Sequence, residues 1–133
     1  MKEDPQTRSR IMRAVKGKDT TPELIVRRLV HAMGYRFRLH HKDLPGKPDL
    51  VFPKFRKVIF VHGCFWHGHD CARGARMPKA NAEYWSSKIA RNRLRDTANI
   101  ATLKCHGWRT AVIWECELKR MEQIRKRLTA FLQ

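Results

Sequence analysis

The stretch from His62 to Cys71 constrains this chain most, because it sets three imidazoles and two thiols within ten residues. It follows Lys57-Val58-Ile59-Phe60-Val61-His62, an apolar run of strand length, and then loses all periodicity through Pro78. A loop without an apolar stripe must be held by something else. Histidine and cysteine together at loop positions form the usual ligand set of zinc, and a structural site takes four ligands. Cys64, His69 and Cys71 supply three, and Cys116 at the end of the last predicted strand is the natural fourth. Cys105 fits less well, because it falls on a predicted apolar helix stripe with Ala90, Leu94, Ala98 and Ala101 and reads as core. The bland alternative is a group of ordinary buried thiols, since no Cys-x-x-Cys pair is present.

Strands and helices alternate around this loop. Thr20 with Glu23 forms a capping box, and Pro22 sits in the first turn. Ile25, Leu29 and Ala32 then recur at helical spacing up to the stop at Gly34. Tyr35, Phe37 and Leu39 alternate with arginines, as a half-buried strand does. Leu44-Pro45-Gly46-Lys47-Pro48 reads as a turn, Asp49 to Phe52 as a strand, and Pro53 to Arg56 as a second turn. Glu83 to His106 is predicted helical, and Ala111-Val112-Ile113-Trp114 is a short buried strand. The last helix places Leu118, Met121, Ile124, Leu128 and Phe131 inside, and Thr7 to Val15 can form a short basic helix. With 133 residues, one α/β domain around a central sheet is expected.

Lys and Arg number 29 against 12 Asp and Glu, a formal charge of +17 that solubility does not need. A polyanion is the expected partner, and nucleic acid comes first. An anionic membrane surface would need a basic amphipathic helix, whereas the basic residues here are spread over the whole chain. No apolar run approaches a membrane span and the N-terminus is polar, so a soluble, intracellular protein is expected. In that reducing setting the cysteines read as thiols or metal ligands.

Asp49 at a strand start and His62 at the end of the next strand could converge at one end of the sheet, within reach of His67. Metal-dependent phosphodiester hydrolysis needs a carboxylate for Mg²⁺ and a group that positions or deprotonates water. Taken singly, Asp49 is better explained as a turn cap, and His62 is as well explained as a structural histidine. Phe65 and Trp66 lie together in a polar loop, and Trp85 shares a helix face with Lys88, Asn92 and Arg95. Aromatics flanked by positive charge suit stacking on bases or wedging between them, although core packing is the usual role of a helical Trp.

His62-Gly63-Cys64-Phe65-Trp66-His67, preceded by Leu44-Pro45-Gly46-Lys47-Pro48-Asp49, resembles the very short patch repair (Vsr-type) endonucleases. The resemblance runs from Thr7-Arg8-Ser9 and Met12-Arg13-Ala14 to Gly107-Trp108-Arg109 and Trp114-Glu115-Cys116. It implies a restriction-endonuclease-like three-layer domain over 1–133, with a mixed sheet between helices, a structural Zn²⁺ site, and residues 1–19 as a DNA-contacting arm. The implied activity is a Mg²⁺-dependent, strand-specific nick 5′ of the T in a T·G mismatch left by 5-methylcytosine deamination. By resemblance, Asp49 and the main-chain oxygen of Val61 hold Mg²⁺, His67 is the general base, and His62 and Glu23 complete the centre. Cys64, His69, Cys71 and Cys116 match the zinc ligands, and Phe65, Trp66 and Trp85 the wedges. Met12, Lys88 and Asn92 match residues near the mispair. The acid-x-Lys motif of the wider superfamily is absent, with Phe60-Val61-His62 in its place. A bacterial cytoplasmic monomer acting on double-stranded DNA is expected, its product passing to a repair polymerase and ligase. The rival readings are a non-catalytic zinc module for distorted DNA and a sequence-specific restriction-type endonuclease.

Overall fold

A computed structural model describes residues 20–39, 41, 43–71 and 79–133. The helix expected from Thr7 to Val15, Met12, the arm 1–19 and residues 72–78 lie outside the described residues.

Four strands form one sheet in the order β1 (Arg38–Leu39), β2 (Leu50–Phe52), β3 (Lys57–His62), β4 (Arg109–Trp114). The first two pairings are antiparallel, and β3 with β4 is parallel, with Val61 opposite Ile113 and His62 opposite Trp114. Successive side chains leave opposite faces of a strand, so one sheet serves two cores. Leu50, Phe52, Ile59, Val61 and Ile113 face Val26 and Val30 of α1 (Thr21–Ala32), together with Ile124, Leu128 and Leu132 of α3 (Met121–Leu132). Val51, Val58 and Phe60 face Leu103 of α2 (Ala82–Cys105), with Ile100 and Trp108 beside it. The result is three layers around a mixed sheet. A 3-10 helix, Glu115–Lys119, links β4 to α3. No helix among the described residues is long and apolar enough to cross a membrane.

Three expectations need correction. The strand over Tyr35 to Leu39 is reduced to Arg38–Leu39, because Phe37 turns onto Phe52 (ring centroids 6.2 Å apart) and Tyr35 onto Phe55. In α1, Thr20 Oγ1 accepts from the N–H of Glu23 as expected, but the buried line is Glu23, Val26 and Val30. Ile25 and Leu29 are half-buried and Ala32 is exposed; the helix is turned so that Glu23 points inward.

The third correction concerns α2. Ala90, Leu94, Ala98, Ala101 and Cys105 are exposed, Leu94 by 72%, so Cys105 is not core. The inward line is Trp85, Lys88, Ile89, Asn92, Asp96, Ile100 and Leu103. Only the C-terminal part of α2, at Ile100 and Leu103, packs on the sheet. The rest lies over the loop after β3 and walls a cleft, so its inward side combines buried Ile89 with polar groups, Lys88, Asn92 and Asp96, that line the cleft.

Candidate active site and metal centre

That cleft, about 840 Å³, opens at the end of the sheet where β3 finishes and β2 begins. Its floor carries Asp49, the residue before β2. The Asp49 N–H donates to the Ile59 carbonyl at 3.1 Å, and its Oδ2 accepts the Val61 N–H at 2.6 Å. Within a strand the N–H and C=O of one residue leave by the same edge. The Val61 carbonyl is thus directed to the Asp49 side, beyond the end of β2. Burial, then the neighbouring carboxylate of Glu23, outweigh the Val61 hydrogen bond and push Asp49 up to about 7. Glu23 is itself buried and accepts from Arg27 at 3.0 Å. Two carboxyl groups drawn together at a buried floor, with a carbonyl beside them, form an oxygen donor set of the kind hard cations take.

His62 and His67 stack face to face, centroids 3.8 Å apart and planes 2° from parallel. The ring of His67 donates from Nδ1 to Asp96 Oδ2 at 2.5 Å, since an ionised carboxylate only accepts. That bond leaves Nε2 as the lone pair of a neutral His67. Burial and the neighbouring His67 pull His62 down to about 4, and its Nδ1 is buried without a hydrogen-bond partner among the described residues. His62, His67 and Asp96 bring three potential ligand atoms within 4.8 Å. An imidazole binds metal in its own plane, however, and two parallel stacked rings cannot share one ion that way. Sequence reasoning missed Asp96, although it stands four residues beyond Asn92 on the helix face already singled out.

The loop after β3 folds back on itself through backbone bonds from His67 to Gly63 and from His69 to Cys64. Gly68 has φ +62°, and a Cβ there would meet Arg93 Cδ at 2.6 Å and Ile89 Cγ2 at 2.7 Å, so the loop lies hard against α2. Cys64, His69, Cys71 and Cys116 come together with their ligand atoms within 4.8 Å of one another. Tetrahedral zinc with Zn–S bonds of about 2.3 Å separates its sulfurs by about 3.8 Å, which this span accommodates. The Cys116 N–H donates to Cys64 Sγ at 3.3 Å, and Cys116 Sγ lies 3.5 Å from His69 Nδ1. Burial pushes the Cys64 thiol up to about 12 and Cys116 upward as well. A bound dication reverses that tendency by stabilising thiolates directly.

Phe65, Trp66 and Trp85 form an edge-to-face cluster at the cleft, with centroids 5.2 to 5.7 Å apart. Lys88 Nζ stands 5.7 Å from the Trp66 ring and 5.9 Å from the Trp85 ring. Asn92 Nδ2 donates to the Trp66 carbonyl at 2.9 Å. All the sequence-predicted site residues except Met12 thus fall into two adjoining groups: the cleft with its aromatics, and the four-ligand cluster behind it.

A family model described as DNA mismatch endonuclease Vsr matches residues 2–73. The chain belongs to that family. Across most of its length it is similar to named relatives of the Vsr family. It is 53% identical over 128 residues to the type II nicking enzyme V.XorIIP of Xanthomonas oryzae pv. oryzae, covering 96% of this chain and 93% of the relative. The DNA mismatch endonuclease Vsr of Escherichia coli K12 is 41% identical over 121 residues, covering 91% and 77%. Among solved structures, the catalytic domain of homing endonuclease I-Bth0305I aligns with a TM-score of 0.59 at 19% identity, over 85% of this chain and 94% of that one. At that identity the likeness concerns the fold alone. The mixed sheet between helical layers, expected from the sequence, is borne out.

Proposed function

We propose that the chain is a Mg²⁺-dependent DNA nickase that recognises T·G mismatches and cuts 5′ of the mispaired T. The observation that carries this reading is the convergence of Asp49, His62 and His67 in one cleft lined by Phe65 and Trp66, against which Trp85 packs. A binding module has no use for a buried carboxyl beside an Asp-oriented histidine. The relatives named as nicking enzymes and as a mismatch endonuclease support the same choice.

In this mechanism Asp49 and the main-chain oxygen of Val61 would hold Mg²⁺, with Glu23 behind Asp49. When bound there, the ion polarises the phosphate and offsets its charge. His67 Nε2 takes the proton from the attacking water, and Asp96 holds the ring in the tautomer that can do so. The water oxygen bonds to phosphorus, the P–O3′ bond breaks, and the leaving 3′ oxygen takes a proton from solvent. The products are a 3′-hydroxyl and a 5′-phosphate, substrates for a repair polymerase and ligase. His62, buried and neutral, supports the His67 ring by stacking. The aromatics wedge beside the mispair with Lys88 and Asn92 near the shifted bases, while zinc on Cys64, His69, Cys71 and Cys116 would fix the loop that carries Phe65 and Trp66. One active site suffices to nick one strand, so a monomer acts.

A nicking assay with Mg²⁺ on otherwise identical T·G, T·A and C·G duplexes tests this. Cleavage of the T strand of the T·G duplex alone is expected. Binding without cleavage would leave the zinc module, and equal cleavage of matched duplexes would leave a restriction-type enzyme.

A further inference from the structure

Three non-glycine residues among those described hold positive φ: Lys47 (48°), Arg56 (54°) and Asn81 (58°). Two have evident reasons. Asn81 belongs to a residue type at ease in the left-handed region and precedes α2. Arg56 ends the turn between β2 and β3, where its guanidinium donates to the His106 carbonyl at 2.7 Å and lies 4.8 Å from the Trp108 ring. Lys47 has neither excuse. Its side chain is exposed, and among the described residues its ammonium has no hydrogen-bond or ion-pair partner. Yet it lines the cleft, two residues from Asp49.

The turn that presents it is firmly seated. The Lys47 N–H donates to the Leu44 carbonyl at 3.1 Å, and Pro45 and Gly46 (φ +77°) occupy the positions a type II turn assigns to them. A Cβ on Gly46 would lie 3.2 Å from Phe60 and 3.1 Å from Asn99, so the turn is clamped between β3 and α2. Pro48, buried, ties it to Asp49 on the other side. Backbone strain that the surroundings enforce is concentrated at functional sites, and here it fixes the stem of a free cation.

The charge around the phosphate shows what that cation is for. Glu23, Asp49, Asp96 and Glu115 all line the cleft, so a phosphodiester arriving there meets four acidic side chains. Of the other lining cations, Lys88 stands over aromatic rings and Arg95 is carried by the same helix. Arg27, which acts on Asp49 from α1, is held by Glu23, whereas Lys47 sits unpartnered among the described residues on the turn that leads directly into Asp49.

We propose that Lys47 binds a non-bridging oxygen of the scissile phosphate, bringing positive charge into the cleft from the turn before β2. Its contact strengthens as negative charge shifts among the non-bridging oxygens in the transition state, so it acts on the rate more than on binding. The proposal rests on the cleft being the nuclease centre.

The test compares Lys47→Gly, Lys47→Arg and Asp49→Asn in single-turnover nicking of a T·G duplex at saturating enzyme, with duplex affinity and thermal midpoint measured alongside. Glycine accepts the left-handed backbone without strain, so Lys47→Gly removes the charge and spares the fold. Its rate is expected to fall by about 10- to 100-fold, the range of a charge-assisted contact. Affinity should change by less than about threefold and the midpoint should not drop. Lys47→Arg should restore most of the lost rate. If Lys47→Gly nicks normally while Asp49→Asn is inactive, the cleft stands and the role of Lys47 is refuted. A slower Lys47→Gly with a lowered midpoint, or with affinity lost in proportion, also refutes it. Normal nicking by Asp49→Asn would overturn the cleft itself and this proposal with it.

Discussion

Asp49→Asn should make the protein more stable while removing its activity. Burial and Glu23 raise the carboxyl from 3.8 to about 7, so the folded chain keeps this proton after the unfolded chain has lost it. Stability therefore falls as pH rises from about 4 to about 7 and is level above that, with the carboxylate then held at a cost. About three pKa units at about 1.4 kcal/mol each give a ceiling near 4 kcal/mol. Asp49 is only half-buried, so about 2 kcal/mol is the working figure after solvent screening. Asparagine keeps an acceptor for the Val61 N–H and offers an N–H₂ toward Glu23, but it carries no charge. For 133 residues the unfolding entropy is about 0.28 kcal/mol/K, so the thermal midpoint should rise by about 7 °C at pH 8. At pH 4 the two proteins should melt together. The assay is calorimetry across that pH range in Mg²⁺-free buffer, repeated with Mg²⁺, which should raise the midpoint of the parent and leave that of the variant unmoved. A gain independent of pH, or a loss at pH 8, would show that Asp49 is not a strained carboxyl awaiting a cation.

His67→Ala should slow T·G nicking by about 10²- to 10⁴-fold, and Asp96→Asn by about tenfold, with mismatch affinity kept; a normal rate for Asp96→Asn would detach it from the mechanism. Cys116→Ala should purify without zinc by elemental analysis and melt at a lower temperature, whereas exposed Cys105→Ala should keep one equivalent. Trp66→Ala should lower T·G nicking at least tenfold while changing matched-duplex affinity by less than about twofold; equal losses would make Trp66 a packing residue. Matched-duplex binding should weaken steeply with salt, with a slope of about −4 or steeper in log K against log salt, and a flat response would contradict the charge argument.

The four-ligand cluster was legible because thiols and imidazoles in a loop have few other uses, and β3 because six consecutive buried residues leave a plain apolar record. Asp49 was legible from its place at a strand start. The orientation of α2 was not. Amphipathic reasoning equates inside with apolar, and it assigned Ala90, Leu94 and Ala98 to the core. Over a cleft the inward face is wet, so the rule inverts along just those turns that carry Lys88, Asn92 and Asp96. Asp96 stands on the face already singled out for DNA contact, but its pairing with His67 depends on how the loop after β3 folds back onto α2, which no spacing along the helix records. In α1 the same assumption hid the inward turn of Glu23, which follows from its neighbour Asp49 and not from any spacing of apolar residues.

Trp85, Lys88, Asn92 and Asp96 lie on one face of one unbroken helix, so a single rigid rod runs from the aromatic rim to the carboxylate behind His67. Eleven residues from Trp85 to Asp96 span about 16 Å of axis. The rod is thus a ruler with a phase: one inserted residue would lengthen it by only about 1.5 Å yet swing Asp96 about 100° away from His67. On the proposed function, the offset between the mispair and the cut would be set in helical pitch, and single-residue insertions between Lys88 and Asp96 should uncouple sensing from cutting while both ends stay intact.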